Sequence, residues 1–454
     1  MQRLAFALVL VIIDLTAAVP TALAQPEMPV VLPMRERAAL MDRWLETRLD
    51  TVVPTLMRRE GIDMWIVSAR EYNEDPVIET MLPATWIAAR RRTILVFFDR
   101  GPDEGVERLA VARYDIGPFP RAWDPDEQPD QWGRLAEVIA ERDPATIALN
   151  RSATFALADG LTDAEYDGFL AALPDHFHDR LVSGERLAIG WLETRIAEEM
   201  QVYPMICKIA HAIIAEGLSA QVIQPGVTTT DDVVWWYRER IRALKLTTWF
   251  QPSVSVQRAD AGEQPAPAKA GGDFSARPDA STIYPGDLLH VDFGITYLGL
   301  NTDTQQHAYV LRPGETDAPD GLRHALAVGN RLQDILTNAF KTGRAGNEIL
   351  RATLDQARAE DIKATIYTHP IGYHGHGAGP TIGLWDQQGG VPGRGDYPLF
   401  PHTAYSIELN AAVPIPEWGD KEIRIMLEED AYFDGETAWY IDGRQTELWL
   451  IPRK

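Results

Sequence analysis

The sequence predicts an α+β protein with two parts: a compact α/β domain over residues 35–180 and a larger mixed domain over residues 185–454. Three observations predict it. The chain has 454 residues, more than one ordinary core organises. Between residues 35 and 180, strand-like apolar runs alternate with amphipathic helical stretches. Beyond residue 185, helical stretches give way to β-rich runs that deliver single carboxylates. Apolar residues make up 45% and charged residues 24%, the balance of a folded protein rather than a disordered one.

The first segment reads as an export signal over residues 1–24. Arg3 begins it, residues 4–13 are uninterruptedly apolar, and Ala22-Leu23-Ala24 forms a small-residue cleavage site. The apolar run is too short to span a bilayer, and no other stretch is long enough. The expected location is therefore the periplasm or the medium. The competing reading is a buried N-terminal helix.

Residues 35–60 then predict a helix, with Leu40, Trp44, Leu49, Val52, Val53 and Leu56 near helical spacing and Gly61 as its stop. Met64-Trp65-Ile66-Val67 predicts a buried strand. Residues 93–98, 109–114 and 146–150 predict further strands, and residues 130–141 and 163–172 predict helices. No catalytic cluster falls in this part. Residues 190–219 predict one long helix. Pro225-Gly226-Val227-Thr228-Thr229 predicts a turn, and Thr230-Asp231-Asp232 caps the helix after it. That helix carries Trp235, Trp236 and Tyr237, which read as core packing. Cys207 is the only cysteine, so there is no internal disulfide; it reads as a small core residue, not a nucleophile. Residues 259–280, rich in Ala, Gly, Pro and Asp, read as a long polar loop, either a surface insertion or a border of the active site.

The net charge of −23 repels phosphate backbones and argues against a nucleic-acid partner. Chemistry concentrates near the C-terminus. The run Leu288-Leu289-His290-Val291-Asp292-Phe293-Gly294 delivers one aspartate, and Asp303 follows eleven residues later across a Gly-containing turn. A hairpin would set the two side by side, a costly arrangement unless a cation pairs with them. His369, His374 and His376 fall within eight residues among glycines; a lone histidine is more often structural, but this density in a chain with ten histidines points towards ligation. Glu408 and Glu428 each sit among strand-forming apolar residues. Four carboxylates and an imidazole suit two divalent ions such as Mn²⁺, Co²⁺ or Zn²⁺, which together activate a water and polarise a carbonyl.

This order of motifs resembles the M24 metallopeptidases: Asp, eleven residues, Asp, then Gly-His-Gly-Ala-Gly, Ile-Glu and Leu-Glu-Glu-Asp. That family has the pita-bread fold and includes methionine aminopeptidase, prolidase, aminopeptidase P and creatinase. The likeness covers nearly the whole mature chain, and the N-terminal α/β part resembles the creatinase-type N-terminal domain. The resemblance implies that Asp292 chelates one metal, that Asp303 and Glu428 bridge both, and that His376 and Glu408 complete the other site. Glu408 would also act as general acid/base on the water. His376 is preferred over His374 for its Gly-His-Gly-Ala-Gly setting, and Glu428 over Glu429 for Leu-Glu-Glu-Asp.

The sequence departs from the family in several places. Counted from His376, the family's second histidine seven residues on would be Gly383, with Trp385-Asp386 nearby, so His374 or His369 takes that catalytic role or the role is absent. The arginine often found two residues before the last glutamate is Met426, with Arg424 further back; Glu-Pro-Gly is replaced by Glu408-Leu409-Asn410. The resemblance implies a metallo-exopeptidase of Xaa-Pro aminopeptidase type using two divalent ions, Mn²⁺ first. Its partners would be a peptide substrate and, as for many family members, a second copy in a homodimer. The alternatives are an Xaa-Pro dipeptidase (prolidase) or creatinase-like C–N hydrolase, and a non-catalytic peptide-binding pseudo-peptidase.

Overall fold

A 27-residue helix, α1 (Met34–Glu60), opens the described chain. The structure is a computed structural model that describes residues 28–259 and 280–452. The export segment and nearly all of the polar loop over 259–280 lie outside the described residues. Trp44, Leu49, Val53, Leu56 and Met57 form the buried stripe of α1, and Gly61 ends it at φ 67° with its N–H on the Arg58 and Met57 carbonyls. A left-handed cap of this kind suits glycine, which has no Cβ to clash.

α1 packs beside a five-stranded sheet. Its strands are β1 (Met64–Arg70), β2 (Arg92–Asp99), β3 (Val106–Ala110), β4 (Ile147–Leu149) and β5 (Leu181–Ser183), in the order β3-β2-β1-β4-β5. β1 is parallel to β4 and antiparallel to β2. It is central and buried over six of its seven residues, so it carries a continuous apolar run instead of alternation. The helices α2 (Pro76–Glu79), α3 (Gln131–Arg142) and α4 (Asp163–Ala172) accompany it. One expectation shifts: the strand drawn over 109–114 stops at Ala110. Val111 still bonds to Ile94, but Arg113, Tyr114 and Asp115 turn out to solvent ahead of the Ile116–Phe119 turn.

The long helix expected over 190–219 is instead three helices, α5 (Glu185–Glu193), α6 (Ala197–Met200) and α7 (Tyr203–Gly217). Thr194 takes an extended conformation and bridges to Thr403, and the Arg195 N–H donates to the His402 carbonyl. Pro204 lies in the first turn of α7, where its missing N–H is tolerated. The next helix, α8 (Thr230–Ala243), is capped by Thr229, one residue before the expected cap, with Asp232 closing the capping box. On it Tyr237 is buried, as expected of core packing, whereas Trp235 is exposed.

The C-terminal sheets carry the functional residues. β6 (Ser253–Gln257), β7 (Leu288–Phe293), β10 (Thr304–Val310) and β18 (Trp449–Ile451) form one sheet in the order β18-β10-β7-β6. A small hairpin, β8 (Thr296–Tyr297) and β9 (Leu300–Asn301), sits inside the β7–β10 connection. After the helices α9 (Asp320–Asn338) and α10 (Gly346–Ala359) come two more sheets. β11 (Lys363–Ile366) joins β14 (Leu409–Ile415) and β15 (Lys421–Leu427). β12 (His369–Ile371) joins β13 (Thr403–Ser406), β16 (Asp430–Phe433) and β17 (Ala438–Tyr440). One apolar cluster runs from α1 and β1 through α5 and α7 to β7 and β10, and a second lies among α9, α10 and β13–β16. No helix among the described residues is long and apolar enough to cross a membrane.

Candidate metal centre

Four carboxylates converge where the C-terminal sheets meet. The β7–β10 pairing sets Asp292 opposite Gln305, and Asp303 immediately precedes β10, so both aspartates face one interior. The two glutamates arrive differently from expectation. Neither lies inside a strand: Ile407-Glu408 and Glu428-Glu429 are breaks between β13 and β14 and between β15 and β16. Ser406 pairs with Asp430 and Leu409 with Leu427, so Glu408 and Glu428 face each other across one long hairpin where it splays from one sheet into another. Directly opposed like charges destabilise a strand pair unless something neutralises them.

Glu428 and Glu429 point to opposite sides, as neighbours on an extended chain do. Glu428 accepts from Ser406 Oγ (2.7 Å) and Gln305 Nε2 (2.7 Å) and faces the aspartates. Glu429 faces away, toward His211 and Gln306. The preference for Glu428 thus agrees with where its side chain stands.

The histidine loop follows β12. His369 is buried, with Nε2 3.4 Å from Glu428 Oε1 and 3.5 Å from Asp303 Oδ2. The rings of His369 and His376 are 4.4 Å apart and nearly perpendicular. Ligand atoms of Asp292, Asp303 and Glu428 lie within 4.8 Å of one another, as do those of His369, Glu408 and Glu428, and those of Asp303, His369 and His376. The structure therefore brings together all five residues expected to bind metal and adds His369 to them. His374 belongs to none of these groups, and its Nδ1 is buried without a partner. Trp249 packs edge-on against His376 at 4.7 Å, and a Cβ on Gly375 would run into its indole, so glycine there lets the loop lie flat on that ring.

The electrostatics describe a site short of positive charge. Burial first, and then the Glu428 charge, push the Asp292, Asp303 and Glu408 carboxyls well above the usual carboxylate range. Burial alone would lower His369, but Glu428 and Glu408 hold it above its ordinary value. His376 is pushed down to about 3 by burial and by the neighbouring His369, His374 and Arg394. Asp292 Oδ1, Asp303 Oδ1 and His369 Nε2 are buried with no hydrogen-bond partner. Buried polar atoms are almost always satisfied, so three unsatisfied atoms of metal-ligand type converging among carboxylates fit divalent cations.

The supporting residues escaped the sequence reading. Gln305 donates from Nε2 to both Glu408 Oε1 (2.8 Å) and Glu428 Oε2 (2.7 Å). His290 fixes which way that amide points, since its Nε2 lies 2.9 Å from Gln305 Oε1. His290 is held neutral by burial, its pKa lowered to about 4, so it donates to that carbonyl oxygen. One signal was available: Gln305 is two residues after Asp303 and so shares its face of the strand. Beneath the loop, Tyr373 donates to Glu199 Oε1 (2.9 Å), and Arg48 (3.0 Å) and Arg195 (3.3 Å) pair with the same carboxylate, both guanidiniums stacking at 4.6 Å on the Tyr373 ring. This buried network ties the histidine loop to α1 and α6.

With that geometry in place, the profile of metallopeptidase family M24 matches residues 205–432, half of the chain. The chain belongs to metallopeptidase family M24. The fold of this M24 protein is similar to that of the X-Pro aminopeptidase from Thermotoga maritima MSB8, with a TM-score of 0.60 at 16% identity over 87% of this chain and 99% of that one. It is also similar to the Xaa-Pro dipeptidase from Bacillus anthracis, at 0.55 and 18% over 91% and 99%. The prolidase from Pyrococcus furiosus gives 0.53 and 14% over 86% and 99%. No curated protein matches the chain. The expected pita-bread architecture is thus the observed one.

Proposed function

We propose that this M24 protein is an exported metallo-exopeptidase that hydrolyses a peptide bond next to proline near the N-terminus of short peptides. The Xaa-Pro aminopeptidase type leads, and the prolidase type is the alternative. The observation that carries the reading is the convergence of Asp292, Asp303, His369, Glu408 and Glu428 with unsatisfied ligand atoms turned toward one another. The export reading rests on residues 1–24 of the sequence.

Asp292, Asp303 and Glu428 would hold one divalent cation, and His369, Glu408 and Glu428, with Asp303, the other; Mn²⁺ is the first candidate and Co²⁺ or Zn²⁺ the others. Two such ions lower the pKa of a water and polarise the scissile carbonyl. We assign the nitrogen ligand to His369 in place of His376, because His369 touches both Asp303 and Glu428. Counted from His369, the family's second histidine falls seven residues on, at His376, and is present after all. The apparent loss came from anchoring the motif on Gly-His-Gly-Ala-Gly instead of on Thr368-His369-Pro370-Ile371-Gly372. His376, uncharged and beside His369, is then the group that supports the substrate carbonyl. Gln305 ties up Oε1 of Glu408, which leaves Oε2 to take the proton from water and pass it to the leaving amine.

Activity on Xaa-Pro dipeptides, Xaa-Pro-Xaa tripeptides and creatine, in wild type and Asp303→Ala, tests this reading. Wild type should cleave an Xaa-Pro bond, and the variant should lose on the order of 10³-fold in kcat/KM, about 4 kcal/mol of transition-state stabilisation. Cleavage unchanged by the substitution, or none by wild type loaded with Mn²⁺, Co²⁺ or Zn²⁺, overturns it. A smaller effect is expected at Gln305. Gln305→Ala should weaken divalent-ion affinity about 10–100-fold, since groups that orient ligands act on this scale. Calorimetric titration of Mn²⁺ into stripped protein measures it, and unaltered affinity would reduce Gln305 to a space-filler.

A further inference from the structure

A cavity of about 660 Å³ opens at one end of the N-terminal sheet, and it shares no residue with the metal centre. It lies where β1 ends at Arg70, β2 begins at Arg92 and β3 ends at Ala110. Four arginines line it: Arg90, Arg91, Arg92 and Arg113. They are not equivalent. Arg92 is committed, since it grips Glu165 with two bonds (2.6 and 3.0 Å) and stacks 4.5 Å over the Trp132 ring. Arg90, Arg91 and Arg113 are exposed, and none has a carboxylate within ion-pair distance among the described residues. Glu71 is the one acid on the wall, and its Oε2 is turned to the backbone, where it accepts from the Arg91 N–H (3.2 Å). Nearby, Glu74 Oε1 accepts from the Tyr72 N–H (3.0 Å) and the Ala89 N–H (2.6 Å).

The placement of these cations is fixed from below. Arg90 lies 5.3 Å over the Trp86 ring and Arg113 5.4 Å over the Trp123 ring, while Trp86 meets Tyr114 edge-on at 6.2 Å. An aromatic face holds a guanidinium without neutralising it, so the charge stays available to a ligand. Gln131 closes the floor: it is buried, and its Nε2 donates to the Arg92 (3.1 Å) and Val111 (2.7 Å) carbonyls. The backbone beside the cavity is strained. Tyr72 and Arg91 take φ values of 67° and 55°, a region that residues with a Cβ rarely adopt, and the Glu71 N–H bonded to the Arg91 carbonyl ties the two turns together. Strain of this kind persists only where the surroundings over-determine it, and it clusters at ligand sites.

The chain has 66 acidic side chains against 43 lysines and arginines, yet three guanidiniums face this one cavity without an acid. They repel one another until an anion enters. A single carboxylate leaves them undermatched, whereas a phosphomonoester brings a charge of about −1.5 to −2 and three strong acceptor oxygens. Every cation on the wall is an arginine, whose planar fork grips an oxyanion through two parallel bonds. We propose that this cavity binds a phosphate-bearing ligand, a phosphomonoester on a small organic body, at a site separate from the peptidase chemistry. A soluble phosphate ester and a phosphatidic acid headgroup present the same group, and the test separates them.

Calorimetric titration of glycerol 3-phosphate into the metal-loaded protein reads the site, with glycerate as its carboxylate counterpart. Co-sedimentation with phosphatidylcholine vesicles, with and without equimolar phosphatidic acid, reads the lipid source. Wild type should bind glycerol 3-phosphate at least about tenfold more tightly than glycerate. Arg91→Gln and Arg113→Gln should each weaken binding about tenfold, the scale of one charge-assisted hydrogen bond, and the double variant should lose it. Arg113→Lys should keep part of it, and thermal melts check that these exposed substitutions leave the fold intact. Vesicle binding that requires phosphatidic acid and is lost in the double variant, with glycerol 3-phosphate silent, upholds the site and assigns it to a lipid headgroup. Binding to neither probe, or equal affinity for glycerate, overturns the proposal. So does binding that persists in the double variant, which would put the anion on the metal ions instead.

Discussion

Removing divalent ions with a chelator should abolish peptide hydrolysis and lower the thermal midpoint, and the fall in midpoint should be larger at pH 8 than at pH 5. The reason is the state of Asp292, Asp303 and Glu408 without a cation. Burial, reinforced by the Glu428 charge, raises their carboxyl pKa values well above the range of an unfolded chain. The folded state then holds protons that the unfolded state releases. The contribution of these three groups to the stability of the ion-free protein is therefore greatest at or below pH 4, where carboxyls in the unfolded chain are still protonated, and it declines as the pH climbs toward the raised values. A divalent cation replaces those protons and competes with them less as the pH rises. At a hundredfold excess over its Kd, each bound ion adds about 2.7 kcal/mol. Thermal melts with and without Mn²⁺ at the two pH values measure the increments. An increment at pH 5 equal to or larger than that at pH 8 would show that the carboxylates are not where the ions act.

The second large effect is expected on the far side of Glu428. His211, on α7, bonds through Nε2 to Glu429 Oε2 (2.7 Å) and through Nδ1 to Asp442 Oδ2 (2.9 Å). Burial opposes its charge, but the two carboxylates outweigh burial and hold its pKa up to about 10. His211 is therefore an imidazolium flanked by two acids, and Glu429 is additionally held by Gln306 Nε2 (2.9 Å) and Gln445 N–H (3.1 Å). His211→Gln leaves Glu429 buried without its cation. Breaking one partner of such a pair costs about 3–5 kcal/mol. Because the folded pKa lies above the unfolded one, near 6.5, this stabilisation is complete below pH 6.5 and disappears as the pH rises through 10. Urea unfolding of wild type and variant should show the full gap at pH 6 and little of it at pH 11. A gap that stays constant across this range would mean that His211 is neutral in the folded protein.

Much of the fold was legible because its signals are local. The stripe of α1, the buried run of β1 and the cap of α8 each follow from residues within a few positions of one another. The long helix drawn over 190–219 failed because its composition favours helix throughout, while the break at Thr194 comes from pairing with Thr403, two hundred residues away in the chain. Asp292, Glu408 and Glu428 were legible since each is an acid at an apolar run, and Asp303, set among polar residues, was legible from its spacing behind Asp292. Which histidine stands nearest the carboxylates was not. Two glycine-rich settings compete in one loop, and only the distances from Nε2 to Asp303 and Glu428 separate them. Gln305 carries one local signal, its place two residues after Asp303, but nothing local shows that it faces two glutamates at once.

The hairpin that splays at Glu408 and Glu428 also limits how this chain can change. Side chains alternate sides at every residue of an extended strand, so inserting or deleting one residue between Thr403 and Leu409, or between Leu427 and Phe433, would turn one glutamate out of the centre and leave the other in place. The far end, where Pro416–Trp418 and the left-handed Gly419 and Asp420 join β14 to β15, carries no such constraint. Length variation along this hairpin is therefore channelled to its tip, and the spacing of Glu408 and Glu428 from the strands beside them works as a ruler.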